Sequence, residues 1–75
     1  MSTEMFPITG DYIELVKLLK VTGICGTGGE SKIAVEEGMV AVDGVVELRK
    51  RRKLYPGQLV TIEDIAIEVV KEVVV

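Results

Sequence analysis

The spacing of apolar positions changes along the chain, and each change predicts an element. Phe6-Pro7-Ile8 reads as a short extended lead-in. Tyr12, Leu15, Val16 and Leu19 then recur at i, i+3, i+4 and i+7, the spacing of one buried helical face. Asp11, with Glu14 three residues on, has the form of a capping box and predicts a helix opening there. Gly23 is placed to stop it. Thr27 and Glu30 have the same capping spacing across Gly28-Gly29. They predict a second helix over residues 31–37 that buries Ile33, Ala34 and Val35 and ends at Gly38.

From Met39 the period becomes two. Val40 and Val42 point one way, Asp43-Gly44 supplies a type I′ turn, and Val46 and Leu48 return. Leu54 is an isolated apolar anchor, and Tyr55-Pro56-Gly57-Gln58 places Pro and Gly at the centre of a type II turn. Leu59-Val60-Thr61-Ile62 begins another strand. The tail carries both signals. Ala66, Val69, Val70 and Val73 fit a helical face, but the abundance of β-branched Ile and Val favours a strand after a turn at Glu63-Asp64. Such a strand either completes the small sheet or pairs with a second chain, so a monomer and a dimer through this strand both stay open.

Composition narrows the class. Seventy-five residues with 48% hydrophobic content make one small domain, 1–75, with a core but little room for a deep pocket. The start is polar and acidic, and no apolar run approaches the ~20 residues needed to span a bilayer. The chain therefore reads as soluble and cytoplasmic, with no membrane partner.

Charge changes the picture more. The net charge is -3, yet Arg49-Lys50-Arg51-Arg52-Lys53 concentrates five cations directly after the hairpin. Residues 63–75 hold Glu63, Asp64, Glu68 and Glu72 against Lys71, so the molecule is dipolar rather than uniformly acidic. One reading of the basic run is a solvated loop. The other is a polyanion contact, favoured by three arginines suited to phosphate forks. Lys32 in the first turn of the second helix is mildly unfavourable against the helix dipole. It makes better sense if an anion is shared there with the Gly28 and Gly29 amides.

Catalytic chemistry finds no support. The chain has no His, and neither Ser2, Ser31 nor the single Cys25 has a base partner of that kind. One cysteine forms no intramolecular disulfide and no cysteine-cluster zinc site. Glu36-Glu37 and Glu63-Asp64 are explained by solubility, and no phosphate-loop signature is present. Neither enzyme activity nor a cofactor is expected.

The order of these features resembles the small RNA-binding domain named after ribosomal protein S4, in particular its short stand-alone bacterial members. The matching stretches are Tyr12 to Leu15, Leu18 to Gly23, Gly28 to Lys32, Glu37 to Gly44, and Leu54 with Pro56-Gly57, together covering roughly residues 6–62. The resemblance implies an α+β fold, αL-type, with two helices packed on a small curved antiparallel sheet. It also implies binding of structured RNA, of the ribosomal or transfer RNA class, and an association with the ribosome. Carried onto matching positions, the contacts come from Lys20, from Gly28, Gly29, Ser31 and Lys32, and from Arg49, Lys50, Arg51, Arg52 and Lys53. Many members carry Arg at the start of the first helix and Ser-Arg at the start of the second. Here those places read Tyr12 and Thr27-Gly28, which shifts weight onto the basic run. The valine-rich acidic tail is not explained by the family pattern. The second reading is a protein-interaction module using the C-terminal strand and the basic run.

Overall fold

The computed structural model describes residues 2–73. Its elements are β1 (Ser2–Ile8), β2 (Ile13–Glu14), α1 (Leu15–Val21), α2 (Gly28–Glu36), β3 (Val40–Val42), β4 (Val45–Val46), β5 (Lys53–Leu54), β6 (Leu59–Ile62) and β7 (Ile65–Lys71). Five strands form one sheet in the order β1-β7-β6-β3-β4, and β2 and β5 form a separate antiparallel ribbon. The expected α+β architecture of two helices on a small sheet holds. The sheet is mixed, because the lead-in is a full strand that pairs parallel with β7, Ser2 opposite Ile65 through Ile8 opposite Lys71. Pro7 has no amide to give to a ladder, which suits β1's position at the sheet edge.

The tail is a strand, turned at Glu63-Asp64 as the β-branched residues predict. It is an inner strand, hydrogen-bonded to β6 on one side and β1 on the other. Strand addition through residues 65–71 would therefore require displacing β1. Val74 and Val75, part of the proposed edge, lie outside the described residues.

The first helix starts later than its capping pattern suggests. Glu14 is the N-cap in extended conformation and makes no side-chain cap bond. Ile13 and Glu14 are instead tied into the ribbon with Leu54 and Lys53. The buried face is Leu15, Leu18 and Leu19, while Tyr12 is exposed and Val16 is only half-buried. Pairing with β5 overrides the local helix signal because the ribbon buries Ile13 and Leu54 together.

The second helix is capped as its sequence predicts. The Glu30 amide donates to Thr27 Oγ1 at 3.2 Å, and Glu30 Oε2 accepts from the Gly26 amide at 2.9 Å. Ala34 and Val35 face the core as expected, whereas Ile33 is exposed and Ser31 takes its place on the inward face.

The hairpin forms at Asp43-Gly44, whose φ values of 52° and 84° are the left-handed pair a type I′ turn requires. The Asp43 carboxylate accepts from the Leu59 amide (2.9 Å) and from Gln58 Nε2 (3.2 Å), locking the turn to the start of β6. Gly57, with φ +98°, completes the type II turn after Pro56. Val40, Val42, Val60, Ile62, Ile67 and Val69 join the helix leucines in one core. The returning strand departs from expectation. Val46 and Leu48 are exposed, and the side chain turned inward is Glu47. β4 is only two residues long, so the alternation that would bury Val46 and Leu48 is not sustained by pairing.

Candidate nucleic-acid interface

The basic run is neither a free loop nor a set of unpaired cations. Its backbone closes the N-terminal end of α1: the Leu15 amide donates to the Arg52 carbonyl (2.9 Å) and the Val16 amide to the Lys50 carbonyl (3.0 Å). Two of the orphan amides of the helix's first turn are satisfied this way, which replaces the missing side-chain cap. Lys53 continues into the ribbon, and Leu54 anchors it in the core.

Glu47 organises the arginines. Its Oε2 accepts from both the amide and Nε of Arg49 (3.0 Å each), and its Oε1 accepts from Arg49 Nη2 (3.2 Å) and Arg52 Nη1 (2.6 Å). Chiefly because of the Arg49 side-chain hydrogen bonds, and against an opposing desolvation effect, its carboxyl is pulled down to about 2. The same contacts raise the Arg49 guanidinium. On the other flank Arg51 Nε lies 3.4 Å from Glu14 Oε2. Three of the five cations thus meet two carboxylates, and the segment keeps a local excess of about three charges. Arg49, Arg51, Arg52, Lys53 and Tyr55 line one shallow open depression.

The other sequence candidates stand elsewhere. Lys20 is exposed in the last turn of α1, roughly 7 Å along the axis from the amides that meet the basic segment. Gly28 and Gly29 open α2 beyond that turn, with the Glu30 carboxylate already bonded to the adjacent Gly26 amide. Lys32 is exposed and pairs with Glu36 at 4.0 Å. Ser31 is fully buried, and its hydroxyl donates to the Thr27 carbonyl at 3.1 Å. It shapes the helix start and does not offer a surface contact. Just past the C-terminal end of α2, a Cβ at Gly38 would touch Val46 and Leu48, which directly precede the basic segment. The structure therefore gathers Arg49, Arg51, Arg52 and Lys53 around one depression, and Lys20, Gly28, Gly29 and Lys32 do not line it.

The residues 6–70 match the family model described as S4 domain. The chain belongs to the S4 domain family. It is 46% identical over 59 residues to "Putative RNA-binding protein YbcJ" of Escherichia coli (strain K12), covering 79% of this chain and 84% of that one. It has the same identity and coverage with "Uncharacterized protein YbcJ" of Shigella flexneri. The solution structure of YbcJ from E. coli, reported as revealing an alfaL motif involved in RNA-binding, superposes with a TM-score of 0.63. That match has 41% identity and covers 93% of this chain and 87% of the other.

In this S4 domain Glu47 and Glu14 had no interface role in the sequence reading, and two Tyr with a single Phe read as too few for a platform that stacks single-stranded bases. Glu47 sits two residues before the run and reads as one more polar hairpin residue. Its role depends on the chain turning so that two arginines converge on it, and no spacing rule signals that.

Glu47 predicts an acid-sensitive stability. A carboxyl lowered by folding stabilises the fold above its unfolded value, and that contribution is lost as pH falls through the folded value. The window here runs from about pH 5 down to about 2. The full shift corresponds to an upper bound of about 3 kcal/mol. Arg49 is largely solvated, so we expect about 1–2 kcal/mol. Urea unfolding of Glu47→Gln should show that deficit at pH 7 and nearly none at pH 2. A deficit that stays constant with pH would remove the ionic role assigned to Glu47.

Proposed function

We propose that this S4 domain is a non-catalytic, cytoplasmic RNA-binding module that grips the phosphate backbone of structured RNA, of the ribosomal or transfer RNA class. The observation that carries this reading is the basic segment itself. Its backbone is fixed to the first turn of α1 and its arginines are oriented by a buried carboxylate. Phosphates would meet cations whose ordering is already achieved by folding, which lowers the entropic cost of binding. Duplex RNA suits such a surface, because its deep major groove resists side-chain readout and is recognised by shape and backbone. The family's relative named as RNA-binding, with 46% identity, points the same way. The non-catalytic part of the reading rests on a sequence without His and without a nucleophile–base pair. Treating 1–75 as one binding unit rests on ribbon, helices and sheet sharing a single core.

The test is a titration of the protein with a labelled RNA hairpin by fluorescence anisotropy at several salt concentrations. A local excess of about three charges gives a slope of log affinity on log salt of about -2 to -3. A slope near zero would contradict the phosphate grip.

A further inference from the structure

The ribbon of β2 and β5 carries its own chemistry on its outer face. Its alternation is strict. Ile13 and Leu54 are opposite one another and buried, and Glu14 pairs with Lys53. Continuing the register one step outward sets Tyr12 opposite Tyr55 on the same side as Glu14 and Lys53. The two rings lie 6.1 Å apart between centroids at a tilt of 51°, and Lys53 Nζ stands 4.8 Å from the centre of the Tyr12 ring. Both rings are nearly half exposed, at 44% and 48%. Among the described residues neither hydroxyl takes part in a hydrogen bond. Two of the chain's three aromatic residues are thus held together at the surface by a ribbon whose other face is core.

Their surroundings decide what they suit. Tyr55 lines the depression walled by Arg49, Arg51, Arg52 and Lys53, and Tyr12 lines the next one beside Lys17. A π-face flanked by phosphate-binding cations matches a nucleotide, with the base on the ring and its phosphate on the arginines. Lys53 occupies one side of Tyr12, so Tyr55 is the ring offered to the groove, with Tyr12 as the neighbour that holds its tilt.

We propose that Tyr55, backed by Tyr12, is a stacking site for one unpaired nucleobase next to the phosphate-binding segment. The domain would then prefer structured RNA that carries a bulged or frayed nucleotide over an uninterrupted duplex. This rests on the RNA-binding reading above and adds to it a base contact that phosphates alone do not require.

The experiment uses two synthetic RNA hairpins, one fully paired and one with a single bulged 2-aminopurine. The wild-type protein should bind the bulged hairpin more tightly and quench the 2-aminopurine emission. Tyr55→Ala should weaken the bulged complex by about 5- to 100-fold and leave the paired one within about twofold, while Tyr55→Phe keeps the preference. Tyr12→Ala should reduce the preference in part. Equal wild-type affinity for both hairpins, without quenching, overturns the stacking site and leaves the phosphate reading standing. Tyr55→Ala weakening both complexes equally overturns it as well. Failure of the wild type to bind either hairpin overturns both readings together.

Discussion

Replacing Arg49, Arg51 and Arg52 together by Ala is expected to weaken binding to a structured RNA by roughly 10²- to 10³-fold at about 0.1 M salt. The physical reason is the local charge balance. In the wild type, residues 49–53 carry five cations, three of them paired with Glu47 and Glu14, and leave an excess of about three charges. Without the arginines, Lys50 and Lys53 only balance those carboxylates, so few counterions are released and the salt slope flattens toward zero. Anisotropy titrations at several salt concentrations read both quantities. The triple variant also leaves Glu47 buried without partners, which is destabilising. Adding Glu47→Gln removes that orphan charge, and binding should stay weak although stability recovers. Replacing the same three arginines by Lys separates charge from geometry. The slope should persist, and affinity should fall by less, because lysine keeps the charge but loses the planar fork. Retention of wild-type affinity by the Ala variant would take residues 49–53 out of the interface.

Leu54→Ala is expected to be the most damaging single truncation near the site, at about 2–5 kcal/mol. Leu54 is fully buried and pairs with Ile13 across the ribbon. It is the anchor that holds the end of the basic segment and the base of Tyr55 against the core. A domain of this size has a total stability of about 4–11 kcal/mol, so the loss is a large fraction of it. With a urea dependence of about 1 kcal/mol/M, the unfolding midpoint should drop by about 2 M or more. Ile33→Ala is the matched control. Ile33 was an expected core residue by sequence but is exposed, and its truncation should stay within about 0.5 kcal/mol. Similar midpoints for the two variants would contradict the burial that distinguishes them.

Those two residues show how far the sequence can be read. Leu54 stands alone among polar neighbours, so it has one plausible direction, and it is buried. Ile33 lies in a short helix with little amphipathic contrast, where Ser31, Ala34 and Val35 together define the inner face. A small buried Ser is invisible to a hydrophobic count. The hairpin, the type II turn and the cap at Thr27 were legible for a different reason. Each depends on residues whose backbone or side-chain preference is satisfied within a few positions. The start of α1 was not legible, because its amides are closed by carbonyls of Lys50 and Arg52 from far along the chain.

For the candidate site the same division applies. A sequence of this composition, with its basic run and its motif order, determined the family, the two helices, the hairpin and the presence of a cationic segment. Local propensity and charge are properties of neighbouring residues, so they survive without a fold. Tertiary structure alone decided that β1 covers β7, that Glu47 turns inward to align Arg49 and Arg52, and that Tyr12 meets Tyr55. Each of those depends on strand register or on a turn bringing distant side chains together. A register shift of one residue would reverse which face of the ribbon is core and would separate the tyrosines from the arginine groove.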